Sequence, residues 1–247
     1  METLTKCRVL SGNVLKLIAC VAMVIDHVGV MFFPYEDSLR IIGRLAFPIF
    51  AFMIAEGARY TRNRLRYFLT IFIEGVLMQL VYTLFLNDTQ LSIFITFSIS
   101  IPLIYALDLM KRAFILAKPM KERLISVLPF ALGVVAAYFL CEFFEVDYGF
   151  LGVMTPVVTS TFMQRDGVPE SARRYDLTVI HVLLCGVALL LLALEVRWVQ
   201  LWSLLALPLL LLYSGKRGRL NLKYFFYVFY PVHLVVIAGI ALLLGMM

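Results

Sequence analysis

The stretch that decides the fold is VLKLIACVAMVIDHVGVMFF, residues 14–33, an apolar run with an aspartate and a histidine near its end. A membrane-spanning helix needs about 20 mostly apolar residues, because lipid offers no hydrogen-bond partner to its backbone. This run has that length. Since 62% of the 247 residues are hydrophobic and 15% are charged, the sequence predicts an integral membrane protein.

Eight further apolar runs of similar length follow the first one along the chain. The prediction is therefore an all-α fold, a polytopic transmembrane helix bundle of about nine spans, forming a single domain over residues 1–247. A very short hairpin at 195–197 has to join two of the spans. The predicted spans are 14–33, 39–57, 67–86, 91–110, 124–141, 148–164, 177–194, 198–213 and 225–246.

Basic residues alternate with these spans. If the N-terminus is cytoplasmic, 19 of the 22 lysines and arginines fall in the inner segments, as the positive-inside rule expects. An odd number of spans then places the C-terminus outside. The net charge of +6 is explained by this topology and by attraction to anionic lipid, so nucleic acid is not an expected partner.

Asp26 and His27 lie in the first span, six or seven residues from its outer end. That position is roughly 10 Å below the membrane boundary at the rise of an α-helix. The second span descends from the same side and brings Arg44 to a similar depth. Charged groups in a bilayer are costly and usually functional. We expect Asp26 to pair with Arg44 and to leave His27 as a base. Two alternatives are that Asp26 contacts and orients His27 while Arg44 alone polarises the carbonyl, or that all three form a structural clasp.

Other polar residues extend the pattern through the membrane. Glu56 precedes a basic inner loop, GARYTRNRLR, and His233 lies near the middle of the last span. His181 is expected to be interfacial. A basic inner mouth suits the phosphates of an acyl-coenzyme A, whose thin arm can enter the bundle. No zinc-ligand spacing or nucleophile motif occurs, so neither a metal nor a covalent acyl-serine is predicted.

Four segments of the chain together resemble the TraX family, named for the conjugative pilin acetylase. They are LKLIACVAMVIDHVGVMFFP at 15–34, LRIIGRLAFPIFAFMIAEGARYTRNRLRY at 39–67, DYGFLGV at 147–153 and KYFFYVFYPVHLVV at 223–236. The resemblance implies acetyl transfer from acetyl-coenzyme A to a peptide amino terminus. The layout is also similar to that of membrane acyltransferases that modify surface sugars. The motif positions that the resemblance identifies are His27 as the base, with Asp26, Arg44, Glu56 and His233.

The prediction for function is a multi-pass acyltransferase of the bacterial cytoplasmic membrane. The catalytic residues are His27, Asp26 and Arg44, and a tyrosine, Tyr148 or Tyr230, is an alternative to Arg44 for stabilising the oxyanion. The co-substrate is acetyl-coenzyme A or another acyl-coenzyme A. The acceptor is a peptide, pilin-like protein, small amine or sugar. The residues predicted to bind the donor are Arg59, Arg62, Arg64, Glu56, His233 and Tyr230.

Two other functions remain open at this stage. Chains of Asp, Glu and His in a helical bundle also serve proton-coupled transporters, although an inverted repeat typical of many transporters is not evident. A non-catalytic assembly protein would keep its polar residues at the membrane faces.

Overall fold

A computed structural model describes residues 8–86, 89–195 and 198–245. Short π and 3-10 segments, Tyr82–Leu86, Glu170–Tyr175 and Trp198–Leu205, separate or extend the α-helices. The α-helices are α1 Gly12–Phe32, α2 Asp37–Gly43, α3 Ala46–Tyr60, α4 Arg64–Val81, α5 Ile93–Ile115, α6 Met120–Phe143, α7 Gly149–Thr159, α8 Thr178–Glu195, α9 Ala206–Leu211 and α10 Lys223–Leu243.

The all-α membrane architecture is confirmed. Within the described ranges, seven helical spans are long and apolar enough to cross a membrane, and two shorter apolar ones, Gly149–Thr159 and Trp198–Leu211, bring the total to nine. Large apolar side chains are exposed along them, most of all on α6, where 17% of the span is buried. Such a surface suits lipid as the solvent. Of the predicted hairpin at 195–197, Val196 and Arg197 lie outside the described residues.

Prolines explain where two of the spans are irregular. The second span breaks into α2 and α3 at Arg44 and Leu45. Pro48, in the first turn of α3, has no N–H group and its ring would clash with the carbonyl of Arg44, so a continuous helix is disfavoured there. Pro208 similarly follows a 3-10 segment that occupies most of the eighth span.

The contacts divide the chain into two compact units. The terminal unit comprises the described parts of Met1–Met53, Leu77–Thr89 and Leu189–Met247, and the central unit comprises Ile54–Val76 and Gln90–Ala188. Helices α3, α4 and α8 each contribute residues to both. The single-domain prediction and the assignment of the cytoplasmic face stay predictions.

In the terminal unit, α1 packs against α2 and α10, and α2 packs against the 3-10 segment Trp198–Leu205. The start of α1 is joined to the segment before α10: the Leu10 carbonyl accepts from Ser214 N–H at 2.8 Å, and Gly12 N–H donates to the Lys216 carbonyl at 2.8 Å. These residues therefore share one face, which requires an even number of crossings between them. Eight spans lie between, so the order of the predicted spans is consistent with this contact.

In the central unit, α5 packs against both α6 and α7. At one end, Leu91 exchanges backbone hydrogen bonds of 2.9 Å with Glu145 and Asp147, which links the loops before α5 and after α6. At the other end, Arg165 donates to the carbonyls of Ala58 and Thr61. The loops thus group in the alternating order that the predicted spans require.

Candidate functional site

Asp26 forms an ion pair with two arginines inside the terminal unit. Its Oδ1 lies 3.1 Å from Nη2 of Arg44 and 3.3 Å from Nε of Arg40. The predicted contact between the first two spans is therefore present, and α2 contributes a second cation one turn earlier. One carboxylate and two guanidinium groups leave this layer with a net positive charge. Gly43 makes the close approach possible, because a Cβ there would collide with the Asp26 carboxylate.

The guanidinium of Arg44 also contacts the eighth span. Its Nη1 donates to Oε1 of Gln200 at 3.3 Å, and its Nε is 3.4 Å from the carbonyl of Arg40. Gln200 is 1% exposed, and Ser203 on the same 3-10 segment is fully buried. Among the described residues, neither Nε2 of Gln200 nor Oγ of Ser203 has a hydrogen-bond partner.

Next to Asp26, His27 stacks on His233 of α10. The ring centroids are 5.2 Å apart and the planes differ by 7°. Phe229 also stacks on His233, with ring centroids 5.0 Å apart and the same interplanar angle. The sequence prediction placed both histidines inside the membrane but did not predict this contact, which joins the first and last spans.

The tautomer of His233 follows from its partner. Its Nδ1 lies 2.9 Å from the Phe229 carbonyl, and because a carbonyl only accepts, Nδ1 carries the hydrogen. In the neutral ring, Nε2 then bears a lone pair, and this buried atom has no hydrogen-bond partner among the described residues. His27 is only partly buried, and no hydrogen bond joins its ring to a described residue.

Tyr230 belongs to the same region of the terminal unit. It is 4% exposed and lies edge-on to Phe50, with ring centroids 5.4 Å apart, and to His233 at 6.4 Å. Two of the residues predicted to bind the donor, Tyr230 and His233, are thus neighbours of the histidine predicted to be the base.

The central unit holds the other predicted donor-binding residues. Arg59 forms an ion pair of 2.6 Å with Asp176 and lies 3.7 Å from Glu56, which is 7% exposed. Asp176 also lies 3.3 Å from Nε2 of His181, a buried residue that the sequence pattern had indicated to be interfacial. Burial tends to raise the pKa of the Asp176 carboxyl. The neighbouring His181 ring and the Arg59 charge outweigh this and hold the pKa below its ordinary value.

Arg64 and Arg62 occupy different environments. Arg64 forms a 2.5 Å ion pair with Asp108 of α5, which also contacts Arg112 at 3.4 Å. Arg62 is exposed in the turn between α3 and α4 and makes no ion pair with a described residue. Of the basic inner loop, Arg59 and Arg64 are therefore anchored by acidic partners, and Arg62 is accessible to a ligand.

A small, partly open pocket lies among these ion pairs. Lys111 reaches it and donates to the carbonyls of Ser160 and Met163 at 2.9 and 2.8 Å. Arg165 lines it as well, and burial followed by the Arg64 charge lowers the pKa of its guanidinium. Five basic side chains and three carboxylates in and around the pocket leave two positive charges uncompensated. They are Arg59, Arg64, Lys111, Arg112 and Arg165 against Glu56, Asp108 and Asp176.

Several residues of these sites were not predicted from the sequence. Arg40 had a usable signal, since it lies four residues before Arg44 on one helical face. Asp108 is likewise four residues before Arg112. Gln200 and Ser203 are three residues apart, a spacing that favours a common face in either kind of helix, and the 3-10 geometry brings them more nearly into line.

Comparison with known proteins gives matches over almost the whole chain. The family model described as TraX protein matches residues 11–241. The chain is 32% identical over 251 aligned positions to "Probable fimbrial assembly protein FimC, serogroup H1" of Dichelobacter nodosus, covering 91% of this chain and 93% of that protein. It is also 38% identical over 72 residues to "Uncharacterized protein RP591" of Rickettsia prowazekii (strain Madrid E), 29% of this chain and 27% of that protein. No solved structure matches the chain.

Proposed function

Because the chain belongs to the TraX family, we propose that it is an acyltransferase of the bacterial cytoplasmic membrane that acetylates a pilin-like peptide. The donor is acetyl-coenzyme A and the acceptor is the peptide amino terminus. The family is associated with pilin modification, and the name of the Dichelobacter nodosus relative refers to fimbrial assembly. Both favour a pilus subunit over a surface sugar as the acceptor.

The observation that carries the proposal is the position of His27 in the terminal unit. The residue is partly exposed, its ring makes no hydrogen bond to a described residue, and that ring lies parallel to the ring of His233. A general base must be within reach of the acceptor and keep a free lone pair. Both histidines offer a ring nitrogen without a partner among the described residues, and His27 is the more accessible of the two because His233 is buried. His233 then acts as a positioning residue.

The chemistry assigns one role to each charged neighbour. His27 removes a proton from the amine as its nitrogen attacks the thioester carbonyl carbon. Arg44 stabilises the negative charge that develops on the carbonyl oxygen. Asp26 holds Arg44 in position, since the two groups form an ion pair of 3.1 Å. Collapse of the intermediate breaks the carbon–sulfur bond, and the thiolate takes the proton from the imidazolium.

Donor binding is assigned to the basic groups of the central unit. Phosphates of coenzyme A are bound by arginines and lysines through charge-assisted hydrogen bonds. Arg59, Arg62 and Arg64 are the predicted ligands, and Glu56 orients Arg59. Lys111 and Arg165 join the proposed set because they line the pocket and retain positive charge beyond what the nearby carboxylates neutralise.

The test uses purified protein in liposomes with radiolabelled acetyl-coenzyme A and a synthetic pilin amino-terminal peptide. We expect labelled peptide whose modification mass spectrometry assigns to the amino terminus. Label on a sugar acceptor instead would make the protein an O-acyltransferase. Uptake of substrate into empty liposomes without acetylated product would identify a transporter and refute the proposal.

A further inference from the structure

Two buried polar side chains of the eighth span lack a hydrogen-bond partner among the described residues. They are Gln200, through Nε2, and Ser203, through Oγ. Their exposed fractions are 1% and 0%. A buried donor without an acceptor is destabilising, and no lipid group in the membrane interior compensates for it. A bound ligand that supplies the missing acceptor would remove this energetic cost.

The local fold places both side chains on one face. The segment Trp198–Leu205 is a 3-10 helix, in which three residues complete a turn and side chains at i and i+3 eclipse each other. Gln200 and Ser203 are three residues apart. Their side chains therefore project from the same side of the segment, one turn apart.

Arg44 fixes the orientation of the amide. A guanidinium only donates hydrogen bonds, so Oε1 of Gln200 faces Nη1 of Arg44 at 3.3 Å. The NH₂ group must then point away from Arg44. Its two hydrogens and the Ser203 hydroxyl form a set of donors beside a cluster in which Arg40 and Arg44 outnumber Asp26. Donors and positive charge together select an oxygen that carries or acquires negative charge.

We infer that Gln200 and Ser203 form, with Arg44, the oxyanion site of the acyl transfer. This inference rests on the proposed function. When the acceptor nitrogen attacks the thioester carbon, the carbonyl π electron pair moves to oxygen. The Gln200 amide and the Ser203 hydroxyl donate to that oxygen. When the carbonyl forms again, the carbon–sulfur bond breaks and the hydrogen bonds weaken. Donors fixed in this way stabilise the transition state more than the substrate.

The experiment compares Gln200→Met and Ser203→Ala with the wild-type protein. Both remove a donor and keep the side chain close to its original size. We expect kcat to fall by on the order of 100-fold for Gln200→Met, the usual effect of losing one oxyanion donor, and by less for Ser203→Ala. KM for both substrates stays close to the wild-type value. The matched control is Ser126→Ala in α6, whose buried hydroxyl already donates to the Arg123 carbonyl and has no role in the reaction.

Thermal stability separates a catalytic role from a structural one. Ser203→Ala removes a buried hydroxyl that has no partner among the described residues, so its Tm stays equal to or above that of the wild type while kcat falls. Full kcat per folded molecule in both variants would overturn the inference and leave the acetyltransferase assignment intact. A wild-type protein that transfers no acetyl group would overturn the proposed function and this inference together.

Discussion

The imidazole rings of His27 and His233 lie parallel, with planes 7° apart and centroids 5.2 Å apart, although about 200 residues separate them in the chain. The contact joins the first and last spans and holds the two histidines in different environments. His27 is the partly exposed member, and His233 is fixed by the Phe229 carbonyl. We therefore expect substitutions of the two histidines to have different effects on acetyl transfer.

His27→Phe keeps an aromatic ring in the stack but removes the nitrogens. We expect acetyl transfer to fall by on the order of 100-fold or more, with unchanged donor affinity, because the lost group acts on the acceptor proton. His233→Phe keeps the ring that supports His27, so its kcat falls by less than about 10-fold. Single-turnover transfer by both variants measures the difference. A larger loss in His233→Phe than in His27→Phe would assign the base to His233.

Asp26→Asn leaves Arg44 and Arg40 without their shared counter-charge. Removing one partner of a partly buried ion pair costs up to about 3 kcal/mol, so we expect a decrease in detergent thermal stability as well as in activity. The Asp26→Asn/Arg44→Gln double variant should be more stable than the sum of the single effects. Asp37→Asn, an exposed carboxylate in the first turn of α2, is the control with a small effect. Additive effects in the cycle would show that the pair contributes no coupling energy.

The donor site is tested by charge removal in the central unit. Lys111→Met and Arg64→Ala should each raise the KM for acetyl-coenzyme A about 10-fold or more at low salt, with kcat retained at saturation. Arg66→Ala removes an exposed arginine of the same helix and serves as the control. If Lys111→Met and Arg64→Ala leave the KM for acetyl-coenzyme A at the value of the Arg66→Ala control, the phosphates bind elsewhere.

The Asp176 carboxyl makes stability depend on pH. Its pKa in the folded protein is held below the unfolded value by His181 and Arg59. The stabilisation is therefore fully present above a pH of about 3.9 and is lost as the pH falls through the lower folded value. Asp176→Asn should lower Tm at pH 7 and flatten its decrease between pH 5 and 3. A decrease in Tm on acidification equal to that of the wild type would exclude Asp176 as a contributor.

The sequence predicted the spans and one ion pair because both depend on composition and depth. Apolar length located the helices, and the distances of Asp26 and Arg44 from a shared membrane boundary placed them together. Composition and depth do not determine how each helix is rotated about its own axis. This rotation determines that Arg64 meets Asp108 and that His27 meets His233. From depth alone, Arg64 was assigned to a basic loop without an acidic partner, and no contact was predicted between the two histidines.

The 3-10 geometry around Gln200 and Ser203 is a second feature that could not be predicted from the sequence. Their segment is apolar enough to indicate an ordinary span, and α-helical spacing would turn positions 200 and 203 about 60° apart. Three-residue turns align them instead, and the site depends on that alignment. Nothing in the composition of WVQLWSLL, residues 198–205, indicates this geometry.

The backbone hydrogen bonds between the start of α1 and the segment before α10 bear on how the protein is made. Leu10 and Gly12 are synthesised some 200 residues before their partners Ser214 and Lys216. During translation, α1 is therefore in the membrane before α10 exists, and His27 lacks the contact that α10 later provides. The proposed active site can then form only after α10 has been synthesised. Nascent chains stalled before residue 223 should insert into the membrane but remain inactive.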